Sequence, residues 1–302
     1  MTHVATLIAP APVLDDTALA RARAALANAG EPVWLATSIA ADIPFSAEAG
    51  ADQSANVLRN ASDRLRALLG GTIDVVVQPS ACRRKKLFLA DMDSTMIQQE
   101  CIDELADYAG LKAHVAAITE RAMRGEIAFE PALRERVALL EGLSVSVIEE
   151  VLRERIRLTS GARTLVATMR AHGARTCLVS GGFTLFTDRI AAMIGFDETR
   201  ANRLTIVDGH KLAGTVAEPI FGRDGKRAAL VELRQELGLG KPETMAIGDG
   251  ANDMDMIAEA GLGVAFHAKP RVAAAAPARI DYADLTALLY VQGYRREEFV
   301  EG

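Results

Sequence analysis

Two short acidic clusters hold the residues best suited to chemistry in this sequence. Asp91-Met92-Asp93-Ser94-Thr95 follows an apolar run at 87–90, so two carboxylates stand two positions apart where the chain leaves a buried strand. A carboxylate can attack phosphorus and form an aspartyl-phosphate. A second acid beside it can protonate the leaving oxygen and later activate water. A loop with two solvated acids has the same spacing. Gly248-Asp249-Gly250-Ala251-Asn252-Asp253 follows a second apolar run, at 245–247. Its glycines let backbone approach a ligand closely, and Asp249 and Asp253 offer hard oxygen donors suited to Mg²⁺. Taken alone it also fits a turn in which Asp253 caps the next helix. If both clusters meet at neighbouring strand ends, four carboxylates repel one another, and a divalent cation is the simplest remedy.

Further residues fit the same chemistry without requiring it. Ser180-Gly181-Gly182 ends a third apolar run, at 176–179. A hydroxyl with exposed backbone N–H groups suits phosphate oxygens, and the same residues make an ordinary strand-to-helix turn. Lys226 opens a helical stretch, where the dipole disfavours a cation unless an anion is near. Phe129, Leu133, Arg136 and Leu140 share one helix face, while Arg134 lies roughly 200° from Arg136 around the axis. An arginine on an apolar face wants a carboxylate or phosphate, or it snorkels and pairs internally; the pattern leaves both open. Glu100 sits in the first turn of a helix, where the dipole alone accounts for it. His114, His172, His210 and His267 have no ligand-like spacing, and Trp34 and Met123 read by default as packing residues.

The elements that must position these groups follow from periodicity. Short, wholly apolar runs alternate with helical patterns at 164–171, 185–194, 226–237 and 253–260. That alternation predicts an α/β fold, a doubly wound parallel sheet with both faces covered. Ligands collect outside the carboxyl ends of such strands. Residues 100–157 interrupt the alternation with helices alone and read as a cap over those ends. Within it Ser146 and Glu149 have capping-box spacing. Residues 203–216 read as a hairpin turning at Asp208-Gly209. The alanine-rich stretch 272–278 reads as helix or loop.

Residues 1–80 read as a separate small α+β unit. An apolar strand at 4–9 is followed by a helix at 17–29 stopped by Gly30, a strand at 33–39, an amphipathic helix at 54–69 and a strand at 73–77. This order resembles ACT-like or ferredoxin-like units. The basic run Arg83-Arg84-Lys85-Lys86 then reads as a solvated linker.

Composition bounds the function. The 302 residues suggest about two domains. Half are apolar and 25% charged, and 34 Lys+Arg against 40 Asp+Glu leave a net charge of −6. An acidic chain argues against general nucleic-acid or anionic-membrane binding. No stretch is apolar enough to span a bilayer, and the start Met1-Thr2-His3 lacks a basic n-region. Cys82, Cys101 and Cys177 are scattered without C-x-x-C, which predicts a reducing cytoplasm, no disulfide framework and no structural zinc.

Strand-D-x-D, strand-S-G-G, a lysine, then strand-G-D-G-x-N-D, in that order, resembles the haloacid dehalogenase superfamily of phosphotransferases. Asp91 to Thr95 with Glu100-Cys101-Ile102-Asp103-Glu104, Glu120-Arg121-Ala122-Met123-Arg124-Gly125, Phe129 with Leu133-Arg134-Glu135-Arg136-Val137, Ser180 to Phe183, Gly248 to Asp253 and Ala265-Phe266-His267-Ala268-Lys269-Pro270 extend the match. Over about 87–289 the chain resembles the phosphoserine phosphatases of that superfamily. The resemblance implies an N-terminal ACT-like domain at 1–80 and a phosphatase core at 87–302 with a helical cap inserted at about 98–160. It implies hydrolysis of O-phospho-L-serine through a phosphorylated Asp91, the last step of L-serine biosynthesis. Asp93 would be acid and then base. Asp91, Asp249 and the Asp93 carbonyl would bind Mg²⁺, with Asp253 supporting. Ser180, Gly181, Lys226 and Asn252 would hold the phosphate. Arg136 would take the substrate carboxylate and Glu100 its ammonium, while Met123 and Phe129 exclude water. The partner implied is a small-molecule substrate, with neither nucleic acid nor membrane; a homodimer stays open. Rival expectations are a related phosphatase or a phosphotransferase with an acceptor such as homoserine, and a catalytically idle amino-acid-sensing regulator. The Pro-rich turn after the first strand lacks the glycine often found at the ligand loop of ACT-like sensors, so serine feedback is not expected.

Overall fold

The structure is a computed structural model and describes residues 1–46, 55–123 and 126–302. The N-terminal unit runs β1 (His3–Ile8), α1 (Asp16–Ala24), β2 (Val33–Ala36), β3 (Ala40–Phe45), α2 (Ala55–Leu69) and β4 (Asp74–Pro79). Its antiparallel sheet has the order β2-β3-β1-β4. This is the ferredoxin-like βαββαβ arrangement, with one strand more than the sequence suggested. The stretch expected as a single strand at 33–39 turns at Ser38 (φ +60°), and β3 follows. Ala-Ala-Asp-Ile-Pro-Phe lacks the β-branched alternation that marks a strand. Pro44 is tolerated there because β2 pairs only as far as Val33↔Asp42, so the missing N–H forfeits no ladder bond on that side. The helix expected at 17–29 stops at Ala24; Asn28 then takes a left-handed conformation (φ +48°) and Gly30 donates to the Pro44 carbonyl. Of the helix expected at 54–69, Ser54 lies outside the described residues.

One face of this sheet packs on α1 and α2 through Ala5, Leu7, Ile43, Val75 and Val77. The opposite face meets the rest of the molecule through Ile8, Ala40 and Val76, which join the main core, and through polar groups. Here the basic run departs from the solvated linker expected of it. Arg83 grips Asp42 with two nitrogens (2.5 and 2.7 Å) and donates to the carbonyls of Tyr290 and Val291. The Arg84 guanidinium lies 4.1 Å from the ring centre of Tyr294. Lys85 is buried and donates to the carbonyls of Cys82 and Pro242, and burial pushes its pKa down to about 8. Lys86 pairs with Glu243. Arg83 and Lys85 thus depart from a solvated run, while Arg84 and Lys86 stay exposed and pair with Glu298 and Glu243 of the larger unit.

The larger unit begins with β5 (Leu87–Asp91) and continues into four cap helices, α3 (Cys101–Tyr108), α4 (Lys112–Met123), α5 (Phe129–Ala138) and α6 (Ser146–Glu154). It returns through α7 (Ala162–Ala171), β6 (Arg175–Phe183), α8 (Thr184–Ile194) and β7 (Glu198–Asn202). A hairpin of β8 (Leu204–Val207) and β9 (Lys211–Val216) follows. The chain ends with α9 (Arg223–Glu236), β10 (Thr244–Gly248), α10 (Met254–Glu259), β11 (Leu262–Phe266), α11 (Pro270–Ala275), β12 (Ala278–Ile280) and α12 (Ala287–Val291). The six-stranded sheet has the order β12-β11-β10-β5-β6-β7, with every neighbouring pair parallel. β5, β10 and β11 are buried at every residue, which is why β5 and β10 read as apolar runs. The alanine-rich stretch resolves into α11 and the edge strand β12.

The cap is closed at its neck by an antiparallel bridge between Ile97 and Leu158. It is not made from the insertion alone. The β8–β9 hairpin joins it, with Ser144 bridged to Lys211 and Gly142 N donating to the Leu212 carbonyl. The expected capping box at Ser146 is absent. Val145 is the N-cap, Ser146 Oγ lies 2.8 Å from Ser144 Oγ, and Glu149 pairs with Arg189 on α8. Ser146 is already helical, so it cannot cap the helix it begins.

The seam yields a stability prediction. Arg83→Ala strips the buried Asp42 of its cation, and unfolding in urea should show a loss of about 3–5 kcal/mol, the range for orphaning one member of a buried pair. A loss within the error of the measurement would mean that Arg83 does not join the two units.

Candidate active site

β5 and β10 are neighbours in register, with Ala90 opposite Ile247, so Asp91 and Asp249 leave the sheet side by side. After Asp91 the chain makes an irregular turn over Met92–Met96 in which Asp93 is extended and Ser94 is left-handed (φ +55°). A non-glycine residue in that region costs energy and persists only where its surroundings enforce it. Asp93 is held at both oxygens. Oδ1 accepts from the backbone N–H of Cys101, the first residue of α3 (2.8 Å), and Oδ2 from Ser180 Oγ (3.1 Å). Ser180 in turn accepts from Gly182 N.

Lys226, in the first turns of α9, is fully buried, with Nζ 2.5 Å from Asp91 Oδ1 and 2.7 Å from Asp253 Oδ1. Its place near a helix start is therefore explained by two carboxylates. Asp253 is pinned from the other side by Gly250 N at 3.0 Å. A Cβ on Gly248 would stand 2.3 Å from Asp253 Cγ, so only glycine fits at the end of β10. Carboxylate oxygens of Asp91, Asp249 and Asp253 lie within 4.8 Å of one another.

The electrostatics of this cluster are unbalanced. Burial first, then the Asp253 charge, pushes the Asp91 carboxyl well above its ordinary range, against the pull of Lys226. Burial likewise raises Asp93 and Asp249. Burial, with Asp93 and Asp249 adding, raises Glu100 to about 7. Burial works against charge on Lys226, yet its two carboxylates overcome this and hold its pKa above the usual lysine value. Two lysines, Lys226 and the half-exposed Lys269 (3.6 Å from Asp249), face five acids. Convergent hard oxygen donors with surplus negative charge fit a divalent cation.

The cluster floors a cleft of about 130 Å³, far below the roughly 300–1,000 Å³ of drug-sized sites. Asp91, Asp93, Glu100, Phe129, Arg136, Gly181, Asn252 and Asp249 all line it. Ser180, Lys226 and Asp253 lie buried just beneath. The side chain of Met123, like Arg124 and Gly125 of the motif that contains it, lies outside the described residues. Arg136 is half-buried in the cleft wall, with only Nε bonded, to the Ala132 carbonyl, and its guanidinium makes no ion pair among the described residues. Phe129 reaches from the cap to the core, its ring against Gly181 and Gly222, where a Cβ would come within 3.2 and 3.1 Å. The cap is thus seated on the core.

Sequence reasoning missed several members. Ile102, Leu133 and Phe183 form an apolar wall, and Lys269 lines the cleft beside Asp249. Leu133 was visible on the Arg136 face and Lys269 within a quoted motif, but neither carried a sign of its role. Asn202 is buried at the end of β7. It donates to the carbonyls of Gly181 and Phe221 and accepts from Phe221 N, tying the Ser180 loop to the segment that leads into α9. A lone asparagine after an unforeseen strand gave no signal.

Fold and site together define a capped α/β enzyme with a carboxylate cluster at its strand ends. The chain belongs to the haloacid dehalogenase-like hydrolases, whose family model matches residues 88–258. It is 50% identical over 208 residues to a phosphoserine phosphatase of Polaromonas, covering 68% of this chain and 88% of that one. A HAD family hydrolase of Salmonella enterica serovar Typhi superposes with a TM-score of 0.82 at 28% identity, covering 96% of this chain and 98% of the other. A substrate-bound phosphoserine phosphatase superposes with a TM-score of 0.63 at 38% identity, covering 68% of this chain and 97% of its own.

Gly248→Ala should push Asp253 off Lys226 and Gly250. We expect phosphatase turnover to fall by at least about 100-fold, as for other losses of a preorganised charged group. Full turnover with the alanine in place would show that the approach of Asp253 to β10 is not needed.

Proposed function

We propose that this chain is a Mg²⁺-dependent phosphatase that hydrolyses O-phospho-L-serine to L-serine and phosphate. The observation that carries the reading is the Asp91–Asp249–Asp253 cluster, locked by Lys226, beneath a cap that turns to the cleft Glu100 and an Arg136 without an ion pair among the described residues. Relatives that bear the name phosphoserine phosphatase, at identities up to 50%, support the same substrate. A cleft this small suits a metabolite and not a phosphoprotein.

In the reading we favour, Lys226 orients the Asp91 carboxylate, which attacks phosphorus in line with the seryl oxygen. Asp93, held by Cys101 N and Ser180 Oγ, gives its proton to that oxygen, and L-serine departs. Asp93 then takes a proton from water as the water attacks the phosphorus; the Asp91–phosphate bond breaks and phosphate leaves. Asp91, Asp249 and the Asp93 carbonyl would hold Mg²⁺, with Asp253 in support, and the ion would neutralise charge on the phosphoryl oxygens. Ser180, Gly181 and Asn252 hold those oxygens in place. Arg136 takes the substrate carboxylate, Glu100 its ammonium, and Phe129 with the cap keeps water out. We read the enzyme as cytoplasmic, because its three cysteines are free, as a reducing compartment would leave them.

Phosphate release from phosphoserine, with and without Mg²⁺, tests the reading. Asp91→Asn should lower turnover by at least about 1,000-fold, as for loss of a nucleophile; wild-type turnover would refute the assignment. Arg136→Ala should lower kcat/KM for phosphoserine by about 10–100-fold, the value of a charge-assisted hydrogen bond. It should barely affect an aryl phosphate, and equal losses on both would make the arginine structural.

Glu100 adds a pH signature. With its pKa near 7, it is an anion above that pH and neutral below it, so its attraction for an ammonium is lost as pH falls. The kcat/KM for phosphoserine should therefore drop below about pH 7, a profile that reports the free enzyme. The drop should be shallower for an aryl phosphate and in Glu100→Gln, where only ionisation of the carboxylate cluster remains. An unchanged acid limb in that variant would remove Glu100 from the substrate site.

A further inference from the structure

The N-terminal domain plays no part in the chemistry above, yet one of its side chains holds a turn of the larger unit. Asp74, the first residue of β4, is fully buried. Its carboxylate accepts three successive backbone N–H groups, from Asp281 (2.8 Å), Tyr282 (3.1 Å) and Ala283 (2.9 Å). Arg66 of the same domain adds a tie, donating to Asp281 and to the Arg279 carbonyl. A buried carboxylate with three N–H donors shapes the turn wrapped around it.

That turn supports a second one. His267 N donates to the Ile280 carbonyl (2.8 Å), and His267 Nε2 lies 2.9 Å from the Ala283 carbonyl. His267 is left-handed (φ +43°), a conformation a non-glycine residue keeps only under constraint. Two residues on, Lys269 N donates to the Asp249 carbonyl (3.2 Å), and Lys269 Nζ lies 3.6 Å from the Asp249 carboxylate. Hydrogen bonds, joined by the chain from His267 to Lys269, thus run from the N-terminal sheet to the Asp249 backbone, and an ion pair at 3.6 Å reaches its carboxylate.

We propose that the N-terminal domain is a structural part of the catalytic cleft. Asp74 is a positioning residue: it holds the 281–283 turn, which props the His267–Lys269 loop against Asp249. This inference rests on reading Asp249 as a metal ligand.

Calorimetric titration of Mg²⁺ into the full chain tests it. Asp74→Asn puts an amide N–H₂ against N–H donors. It should weaken Mg²⁺ binding by about 5–20-fold, near the lower end for lost outer partners of a metal site. His267→Ala, at the near end of the series, should do the same and carries the test by itself if the Asp74 variant does not fold. The double variant should be no worse than the weaker single, because both cut one support. Asp42→Asn loosens the same domain seam at Arg83 instead; it should lower Tm and leave Mg²⁺ affinity unchanged. A folded Asp74→Asn or His267→Ala with wild-type affinity, or an Asp42→Asn that weakens binding equally, would overturn the proposal while leaving the function intact. A wild-type chain that binds no Mg²⁺ would overturn the reading of the carboxylate cluster and this inference with it.

Discussion

Crowded negative charge at the ends of β5 and β10 is the constraint on which the rest of this structure depends. Asp91, Asp249 and Asp253 come within reach of one another because two buried parallel strands end side by side. A single buried ammonium, Lys226, spans two of them. Such a group is costly to bury unless its partners are in place, so α9 is anchored to the sheet by the same contact that orients Asp91. Catalytic geometry and core packing are here one arrangement, and the surplus charge that remains gives the site its appetite for a cation.

The cap makes the second half of the site. Its first helix begins at Cys101, whose N–H holds Asp93, and its third helix carries Phe129 into contact with Gly181 and Gly222. One face of the cleft is therefore charged and rigid and the other largely apolar, with Arg136 and Glu100 as its polar exceptions. This division suits phosphoryl chemistry at the base and recognition of an amino acid at the roof.

Much of this was legible in the sequence, and the reasons for success and failure are physical. Strands buried on both faces read as unbroken apolar runs, so β5, β6 and β10 stood out, and the acids after them marked the strand ends. β3, β7 and β12 did not: Ala-Ala-Asp-Ile-Pro-Phe lacks β-branched alternation, Glu-Thr-Arg-Ala-Asn is polar and at an edge, and Ala-Arg-Ile is short and at an edge. Arg136 could be placed on a helix face, but only the tertiary fold shows that face lining a cleft. Arg83 to Lys86 misled because charge in sequence says nothing about where counter-charges gather: Asp42 lies far upstream and Glu243 far downstream. Asn202 and Asp74 are silent for the same reason, since their hydrogen bonds reach across the chain.

The chain passes between cap and core at two separate places. One is the Ile97–Leu158 bridge; the other lies at the base of the β8–β9 hairpin, where Ala217 N donates to the Arg203 carbonyl. A body tethered at two points has a single easy motion, rotation about the line that joins them. It can tilt but not slide or drift away. Each reopening would then retrace one arc and return the Phe129 ring to the same pair of glycines.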